Sequence, residues 1–284
     1  MNFLSNIQFQ QFFNLTLLVL LGYLNNRLQT NLLNILLITL YSGAIELILK
    51  KRLFIPYSAF ITALGVVLMV GWLKWYIPYI IIFLALLQKH FIKIDNNHIF
   101  NPSNFALILA IVLFYPKALP IVGEIGKELY IANIVIFIGT IILIRVNRLA
   151  ITLSFLISYI LFNYLFIGNS DPMWNLDYFI SKLYSISFIV FIFFMLTDPK
   201  TTPSSIKLQI FFGILIALLT TLFNLFLGIR VWNQFLALFI SSLIFIPIYR
   251  NLKSSDYKKI ILLSIIVFSF VTYISLQKPL YFSM

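Results

Sequence analysis

The chain has 284 residues, of which 62% are hydrophobic and 10% are charged, and its formal net charge at pH 7 is +12. Soluble domains are roughly 45–50% apolar and about 25% charged, so this composition excludes a soluble protein and predicts an all-α polytopic membrane protein. The chain has no cysteine, which excludes disulfides, thiolate metal sites and iron–sulfur clusters held by this chain.

Hydropathy predicts about eleven membrane-spanning helices in a single integral membrane domain that covers residues 1–284. The N-terminal segment lacks a basic region and a small-residue cleavage site, so the first span is expected to remain in the membrane. The predicted spans are Phe9–Leu24, Asn31–Leu49, Ser58–Leu73, Trp75–Leu87, Ile99–Phe114, Leu129–Ile144, Leu149–Ile167, Leu183–Thr197, Lys207–Gly228, Val231–Tyr249 and Ile260–Leu276.

Several of these spans are short, and Ser58–Leu73, Ile99–Phe114 and Leu183–Thr197 contain only 15 or 16 residues each. About 20 residues are needed to cross a hydrocarbon core of ~30 Å. Short apolar segments beside proline and glycine breaks are typical of discontinuous helices, so we expect broken or half-spanning helices at these places.

The basic residues predict the orientation of the chain. When the predicted loops are assigned alternately to the two sides, 13 Lys and Arg residues fall on one side and 7 on the other. The richer side, which holds Lys50–Arg52 and Arg250–Lys259, is expected to be cytoplasmic. The chain is therefore predicted to lie in a bacterial inner membrane with its N-terminus in the cytoplasm. Its basic loops are expected to contact the lipid bilayer rather than nucleic acid.

The first polar segment, Asn101–Asn104, stands at the head of an apolar run. Asn101 suits the N-cap position of a helix, and Pro102 suits the first helical position. A helix that begins here directs its positive end at polar side chains, which could hold a carbonyl, a phosphate or a polar solute. The alternative is an ordinary capped helix at the membrane interface.

The second polar segment, Thr197–Ser205, separates two predicted spans on the same predicted side as the first. Pro199 disfavours a helical conformation at Asp198, so the preceding helix should end there or earlier, and Ser204 or Ser205 should cap the next helix. An ionised Asp198 only accepts hydrogen bonds, so it could pair with Lys200, with a cation or with a donor on a ligand.

The two polar segments together define the candidate ligand site. Polar groups inside hydrocarbon are tolerated where protein or water satisfies them, so we expect Asn101 and Asp198 to line one cavity. The patch around His98 has no paired ligand spacing, so no metal site is predicted, and no catalytic residue is predicted either. The predicted ligand- or cofactor-binding residues are Asn101, Ser103, Asn104, Thr197, Asp198, Thr201, Thr202 and Ser204.

Glu46 is the one carboxylate that the hydropathy places inside an early span. Lys50 follows it at the spacing of one helical turn, so we predict an ion pair between them at the end of that helix.

The strings His98–Ala106 and Phe193–Ser205 resemble the RnfD/NqrB superfamily of membrane redox-pump subunits. They are most similar to the NPSNF and TDPxTTPSS strings of its standalone UnbU-type branch, which is labelled after enediyne biosynthesis clusters. The resemblance runs roughly from Arg52 to Tyr249. It implies a urea-transporter-like fold of two inverted five-helix repeats, which we expect at residues 31–128 and 129–250, followed by an extra C-terminal helix at residues 251–284.

The resemblance also implies flavin chemistry, with FMN attached to a threonine in the outer loop after the first polar segment and riboflavin or quinone nearby. This chain has no serine or threonine between Asn104 and Gly139, so covalent FMN is not expected. A noncovalent flavin, or another ligand between the repeats, is compatible with the sequence.

Three functions fit the sequence. The first is an RnfD/NqrB-like membrane subunit linked to electron transport, and the second is a channel or carrier for a small polar solute. The third is a noncatalytic membrane scaffold for a membrane or periplasmic protein partner. The chain has no Gly-rich nucleotide-binding motif, so ATP-driven chemistry is disfavoured and the chain is not expected to be an enzyme on its own.

Overall fold

Each predicted span corresponds to a helix in the structure, with ends that shift by a few residues. The computed structural model describes residues 6–24, 28–121, 129–168 and 176–276. In this part of the chain the helices Leu149–Phe162 and Ile186–Val190 each continue into a π-helical segment, at Asn163–Ile167 and Phe191–Met195. The helices are α1 (Ile7–Leu24), α2 (Leu32–Lys50), α3 (Tyr57–Met69), α4 (Ile77–Phe91), α5 (Pro102–Phe114), α6 (Leu129–Arg145), α7 (Leu149–Phe162), α8 (Leu176–Leu183), α9 (Ile186–Val190), α10 (Ile206–Leu227), α11 (Asn233–Tyr249) and α12 (Ser254–Leu276).

Length and composition make the chain an all-α polytopic membrane protein. Among the described residues, four helices are long and apolar enough to cross a membrane: Ile7–Leu24, Leu32–Lys50, Leu149–Ile167 and Ile206–Leu227. Other apolar helices are shorter, and α3 and α5 have 13 residues each. Helices of that length agree with the expectation of half-spanning segments.

The short helix α8 is an element that hydropathy does not predict. It has eight residues and carries Asp177 and Lys182, so its composition is that of a loop. Phe179 is buried, whereas Leu176 and Ile180 are exposed. An amphipathic helix of this kind is typical of a segment that lies along the membrane surface.

Two short antiparallel strand pairs interrupt the helices. Strand β1 (Val70–Trp72) follows α3 directly and pairs with β4 (Ala118–Pro120) after α5, while β2 (Lys93–Ile94) and β3 (Asn97–His98) form a small hairpin before α5. The sequence predicts helix as far as Leu73, but the backbone is already extended at Val70. Pairing with β4 gives hydrogen-bond partners to backbone N–H and C=O groups that would otherwise have none after the end of α3.

Helix α10 packs closely against α7. A Cβ atom added at Gly213 of α10 would lie 2.7 Å from the backbone oxygen of Ile151 and 2.9 Å from the backbone nitrogen of Phe155. Only glycine leaves room for this approach, because these two atoms belong to the backbone of α7, which cannot shift to admit another carbon. The small residue therefore holds α10, and the turn that precedes it, against α7.

Some loops that the charge count assigns to the same side contact each other in the structure. At one end of the bundle, Arg250 donates to the backbone oxygens of Ile94 and Lys200. At the other end, the backbone N–H of Leu73 donates to the backbone oxygen of Lys117 at 2.9 Å. Loops that the charge count assigns to one side thus meet in the structure, while the cytoplasmic identity of the first end remains a prediction.

We expect Ser254 and Lys74 to face opposite sides of the membrane, with Ser254 in the cytoplasm, because basic loops are retained there. The chain has no cysteine, so single Ser254→Cys and Lys74→Cys variants can be labelled without background. A membrane-impermeant thiol reagent added to intact cells should label Lys74→Cys at once and Ser254→Cys only after permeabilisation. Labelling of both variants from one side would contradict the alternation.

The helices α5 and α11 both begin inside the bundle. The Asn104 amide donates to the backbone oxygen of Phe235 at 3.1 Å, so the first turns of the two helices meet. The rings of Phe100 and Phe239 stack at 4.4 Å, and Phe239 lies ten residues, or ~15 Å of helix, before Tyr249 at the end of α11. The first turn of α5 is therefore buried about 15 Å along α11 from the end of that helix at Tyr249.

Candidate functional site

The first polar segment is a helix start, as its residues predict. Asn101 is the N-cap of α5, and its side-chain oxygen accepts from the backbone N–H groups of Ser103 and Asn104 at 3.1 and 3.2 Å. Pro102 occupies the first helical position, where the missing N–H costs nothing. The cap is 7% exposed, so this helix start is buried within the protein.

Asp198 joins the two polar segments. Its Oδ2 lies 3.1 Å from Nε2 of His98 and accepts from the Asn101 amide at 3.3 Å. Its Oδ1 accepts from the backbone N–H of Lys200 at 3.0 Å. The same Asn101 amide also lies 3.4 Å from the backbone oxygen of Phe194. Residues that are 97 and 100 positions apart in the sequence are thus held by one carboxylate.

The charge state of Asp198 follows from these contacts. Burial works against ionisation, but the facing His98 and the N–H of Lys200 outweigh it, so the pKa of Asp198 lies below its ordinary value. The side chain is 16% exposed, which leaves one edge of the carboxylate open to the cavity beside it. The sequence allows Asp198 to pair with Lys200, with a cation or with a donor on a ligand. In the structure the His98 ring contacts the carboxylate, and Lys200 bonds to it through its backbone N–H.

A cavity of about 210 Å³ lies between the two polar segments. Its polar wall includes Ser58, His98, Asn101, Ser103, Asp198 and Lys200. Its apolar wall comes from α1, α3, α9 and the π-helical turn that follows α9, including Leu15, Ile61, Val190 and Phe194. A concave, mostly apolar space with a few polar groups is the usual form of a small-molecule site.

Three of the eight predicted site residues, Asn101, Ser103 and Asp198, line this cavity. Asn104 points instead at α11, and Thr197 donates to the backbone of its own helix at Phe193. Thr201 is fully buried and Ser204 is exposed, and neither borders the cavity. Whether the three residues bind a ligand stays a prediction.

The threonines of the second polar segment stabilise the turn. Thr202 donates to the backbone oxygen of Asp198 at 2.7 Å and accepts from Nε of Arg148 at 3.0 Å. The hydroxyl of Tyr249 donates to the backbone oxygen of Thr201 at 2.6 Å. Arg250 donates to the backbone oxygen of the preceding residue, Lys200. These donors occupy backbone oxygens of the turn, so in this turn the Asp198 carboxylate, rather than those oxygens, borders the cavity.

The structure also assembles a buried charge cluster behind Ser58, which the sequence does not predict in full. Glu46 is fully buried and pairs with Lys50 at 2.6 Å, as predicted. It also pairs with Lys89 of α4 at 2.9 Å. The Lys89 ammonium donates to the Ser58 hydroxyl at 2.8 Å. Because 43 residues separate Glu46 from Lys89, no local spacing could have shown this pair.

Residues 118–244 match the family model described as the NQR2, RnfD, RnfE family. The matched region contains the second polar segment and begins after the first. None of the curated proteins matches the chain.

Proposed function

We propose that the chain is a membrane subunit of a redox-linked complex, of the RnfD/NqrB type, and that it binds a small ligand in the cavity between its two polar segments. The observation that carries the proposal is the position of Thr197–Ser205. This segment lies within the part of the chain that matches the NQR2, RnfD, RnfE family, and its Asp198 lines the cavity. Polar groups at such a position inside a membrane protein favour a functional role over a structural one.

A flavin does not fit this cavity. Sites for drug-sized ligands occupy roughly 300–1,000 Å³. The cavity has about 210 Å³, which suits a smaller molecule. We therefore assign no flavin step to this site and propose a ligand that is more compact than riboflavin.

Covalent FMN should also be absent from the chain. A phosphoester link needs a serine or threonine hydroxyl, and residues 105–139 contain neither. The purified protein should show no fluorescent band under ultraviolet light after denaturing electrophoresis. A band that survives denaturation would contradict this prediction and place the attachment at a hydroxyl elsewhere in the chain.

Two inverted repeats are part of the same proposal. Helices α1 and α6, α3 and α9, and α5 and α11 contact each other as pairs, which is the pattern that a two-fold axis between two five-helix halves would produce. This pairing supports the second repeat at residues 129–250. It favours a first repeat that begins with α1 rather than at residue 31.

A carrier for a small polar solute is the second candidate, because α5 and α11 both begin within the bundle. In the described part of the chain, Oδ1 of Asn104 and Oε1 of Gln234 are buried without a hydrogen-bond partner near the point where the two helices meet. A buried amide oxygen without a hydrogen-bond partner lowers the stability of the fold, and a hydrogen-bond donor on a transported solute would supply that partner. The stacked rings of Phe100 and Phe239 lie in the same contact between the helices and would have to separate.

The proposal can be tested by identifying the ligand. The tagged protein is purified from its native membrane in mild detergent and denatured, and the released small molecules are identified by mass spectrometry. An Ile61→Phe variant narrows the cavity, whereas Ile244→Phe adds the same ring on an exposed face of α11 as a matched control. Wild type and Ile244→Phe should release the same compound, and Ile61→Phe should not. Equal release from all three, or from none, would contradict a ligand in this cavity.

A further inference from the structure

The donors and acceptors around the cavity are unequally available. An ionised carboxylate offers about four lone-pair positions, and Asp198 already accepts from three internal donors, His98, Asn101 and the backbone of Lys200. Asn101 uses its amide on Asp198 and on the backbone of Phe194. The side-chain oxygen of Asn101 accepts from the backbone N–H groups of Ser103 and Asn104, so Asp198 and Asn101 are both largely engaged within the protein.

The Ser58 hydroxyl is in the opposite situation. Its oxygen accepts from Nζ of Lys89 at 2.8 Å, and among the described residues its hydrogen has no acceptor. The Lys89 ammonium uses its other hydrogens on the two oxygens of Glu46, at 2.9 and 3.0 Å. A hydroxyl that already accepts from a cation becomes a stronger donor, since hydrogen bonds in a chain polarise one another. Ser58 lines the cavity, so this donor faces the ligand space.

The charges around Ser58 also favour a ligand that accepts a hydrogen bond from its hydroxyl. Glu46 carries the only carboxylate of the cluster within the described residues, and it faces Lys50, Lys89 and, at 3.8 Å, His90. Lys200 also lines the cavity, beside the Asp198 carboxylate. Behind Ser58, two lysines, Lys50 and Lys89, surround the single carboxylate of Glu46.

From these contacts we infer an acceptor-binding subsite at Ser58, backed by the Lys89–Glu46 pair, which takes a carbonyl or anionic oxygen of the ligand. The inference rests on the proposed ligand cavity and names the chemistry of that ligand. Ser58 binds the acceptor oxygen and Lys89 positions and polarises Ser58. A cationic ligand is disfavoured, because Lys89 and Lys200 would repel it and the Asp198 carboxylate is already engaged.

The test uses single cysteines in the full-length protein, which has no native cysteine. Ser58→Cys places a thiol beside the Lys89 ammonium, and Ser103→Cys places one on the same cavity without that contact. Alkylation by iodoacetamide proceeds through the thiolate, which a neighbouring cation stabilises. The pH at which alkylation reaches half its maximal rate should be about one unit lower for Ser58→Cys than for Ser103→Cys.

A charge-neutral background supplies the control. Glu46→Gln with Lys89→Met removes both charges together, so neither is left buried alone. In this background the profile of Ser58→Cys should move up to that of Ser103→Cys. If the two thiols react with the same pH profile, or if the double substitution leaves the Ser58→Cys profile unchanged, the inference is wrong while the cavity still stands. If Ser103→Cys fails to react at any pH, the cavity is closed and the proposed function fails with it.

The ligand class is tested in the same preparation. Sodium acetate, which offers only acceptor oxygens, should slow the alkylation of Ser103→Cys. Methylammonium chloride at the same ionic strength should leave the rate unchanged. Protection by methylammonium and not by acetate would overturn the assignment of an acceptor-binding subsite.

Discussion

Replacement of Lys89 by methionine should lower the free energy of unfolding by about 3–5 kcal/mol, because it leaves the Glu46 carboxylate buried without its closest interhelical partner. Glu46 is 0% exposed and the Lys89 side chain is 6% exposed, so water cannot replace the lost contact. Lys50 remains at 2.6 Å but is 30% exposed and lies at the helix end. The expected result is a large fall in the yield of folded protein in detergent and in its thermal midpoint.

Two variants separate the lost pair from a general effect of substitution. Lys207→Met changes the same residue type on an exposed first turn of α10 and should be nearly neutral. Glu46→Gln combined with Lys89→Met removes both charges and should recover most of the stability, since a buried pair is often replaced at little cost. A double variant no more stable than Lys89→Met alone would show that the ion pair is not the source of the effect.

Removal of the Asp198 carboxylate should produce the second large effect. Asp198→Ala leaves the buried amide of Asn101 and the ring of His98 without their shared acceptor. A hydrogen bond to a charged group contributes about 1.5–3 kcal/mol, so the loss of the carboxylate should detach the second polar segment from the start of α5. Asp198→Asn keeps the shape and one acceptor oxygen, so we expect it to be less destabilising than Asp198→Ala but still impaired in ligand retention.

Asp95 provides the matched control. It is an exposed carboxylate in the turn of the hairpin before α5, and its positive φ of 51° is one that asparagine adopts as readily. Asp95→Asn should leave stability and ligand retention unchanged. Thermal melts of the three variants, together with the amount of ligand released on denaturation, measure both effects. Wild-type values for Asp198→Asn and Asp198→Ala would reduce Asp198 to a loop carboxylate.

Much of the fold could be predicted from hydropathy, because a membrane span must be apolar over its whole length. The predicted spans correspond to helices, and Leu129–Ile144 and Leu149–Ile167 agree with α6 and with α7 plus its π-helical continuation almost to the residue. The end of α3 is different. The residues beyond Met69 are as apolar as those before it, and the extended backbone there depends on pairing with β4, which local composition does not encode.

Those features of the candidate site that depend on neighbouring residues in the sequence could be predicted. Asn101 before Pro102 is such a case, and the structure has the helix cap there. The partner of Asp198 could not be predicted, because His98 lies 100 residues away and no local spacing connects them. The polarity of the threonines in the second polar segment predicts that they bind a ligand. In the structure their hydroxyls bond to backbone oxygens, which is the common use of threonine near a helix end.

The central claim is that this chain is a membrane subunit of a redox-linked complex, and isolation of the intact assembly tests it most directly. The tagged chain is extracted from its native membrane in mild detergent, and co-purifying proteins and electron-transfer activity with an artificial electron acceptor are measured on the same fraction. The account predicts stoichiometric partner subunits that carry redox cofactors, and activity that is lost when the tagged chain is Asp198→Ala. A chain that purifies alone and, in sealed vesicles, moves a small polar solute without any redox partner would contradict it.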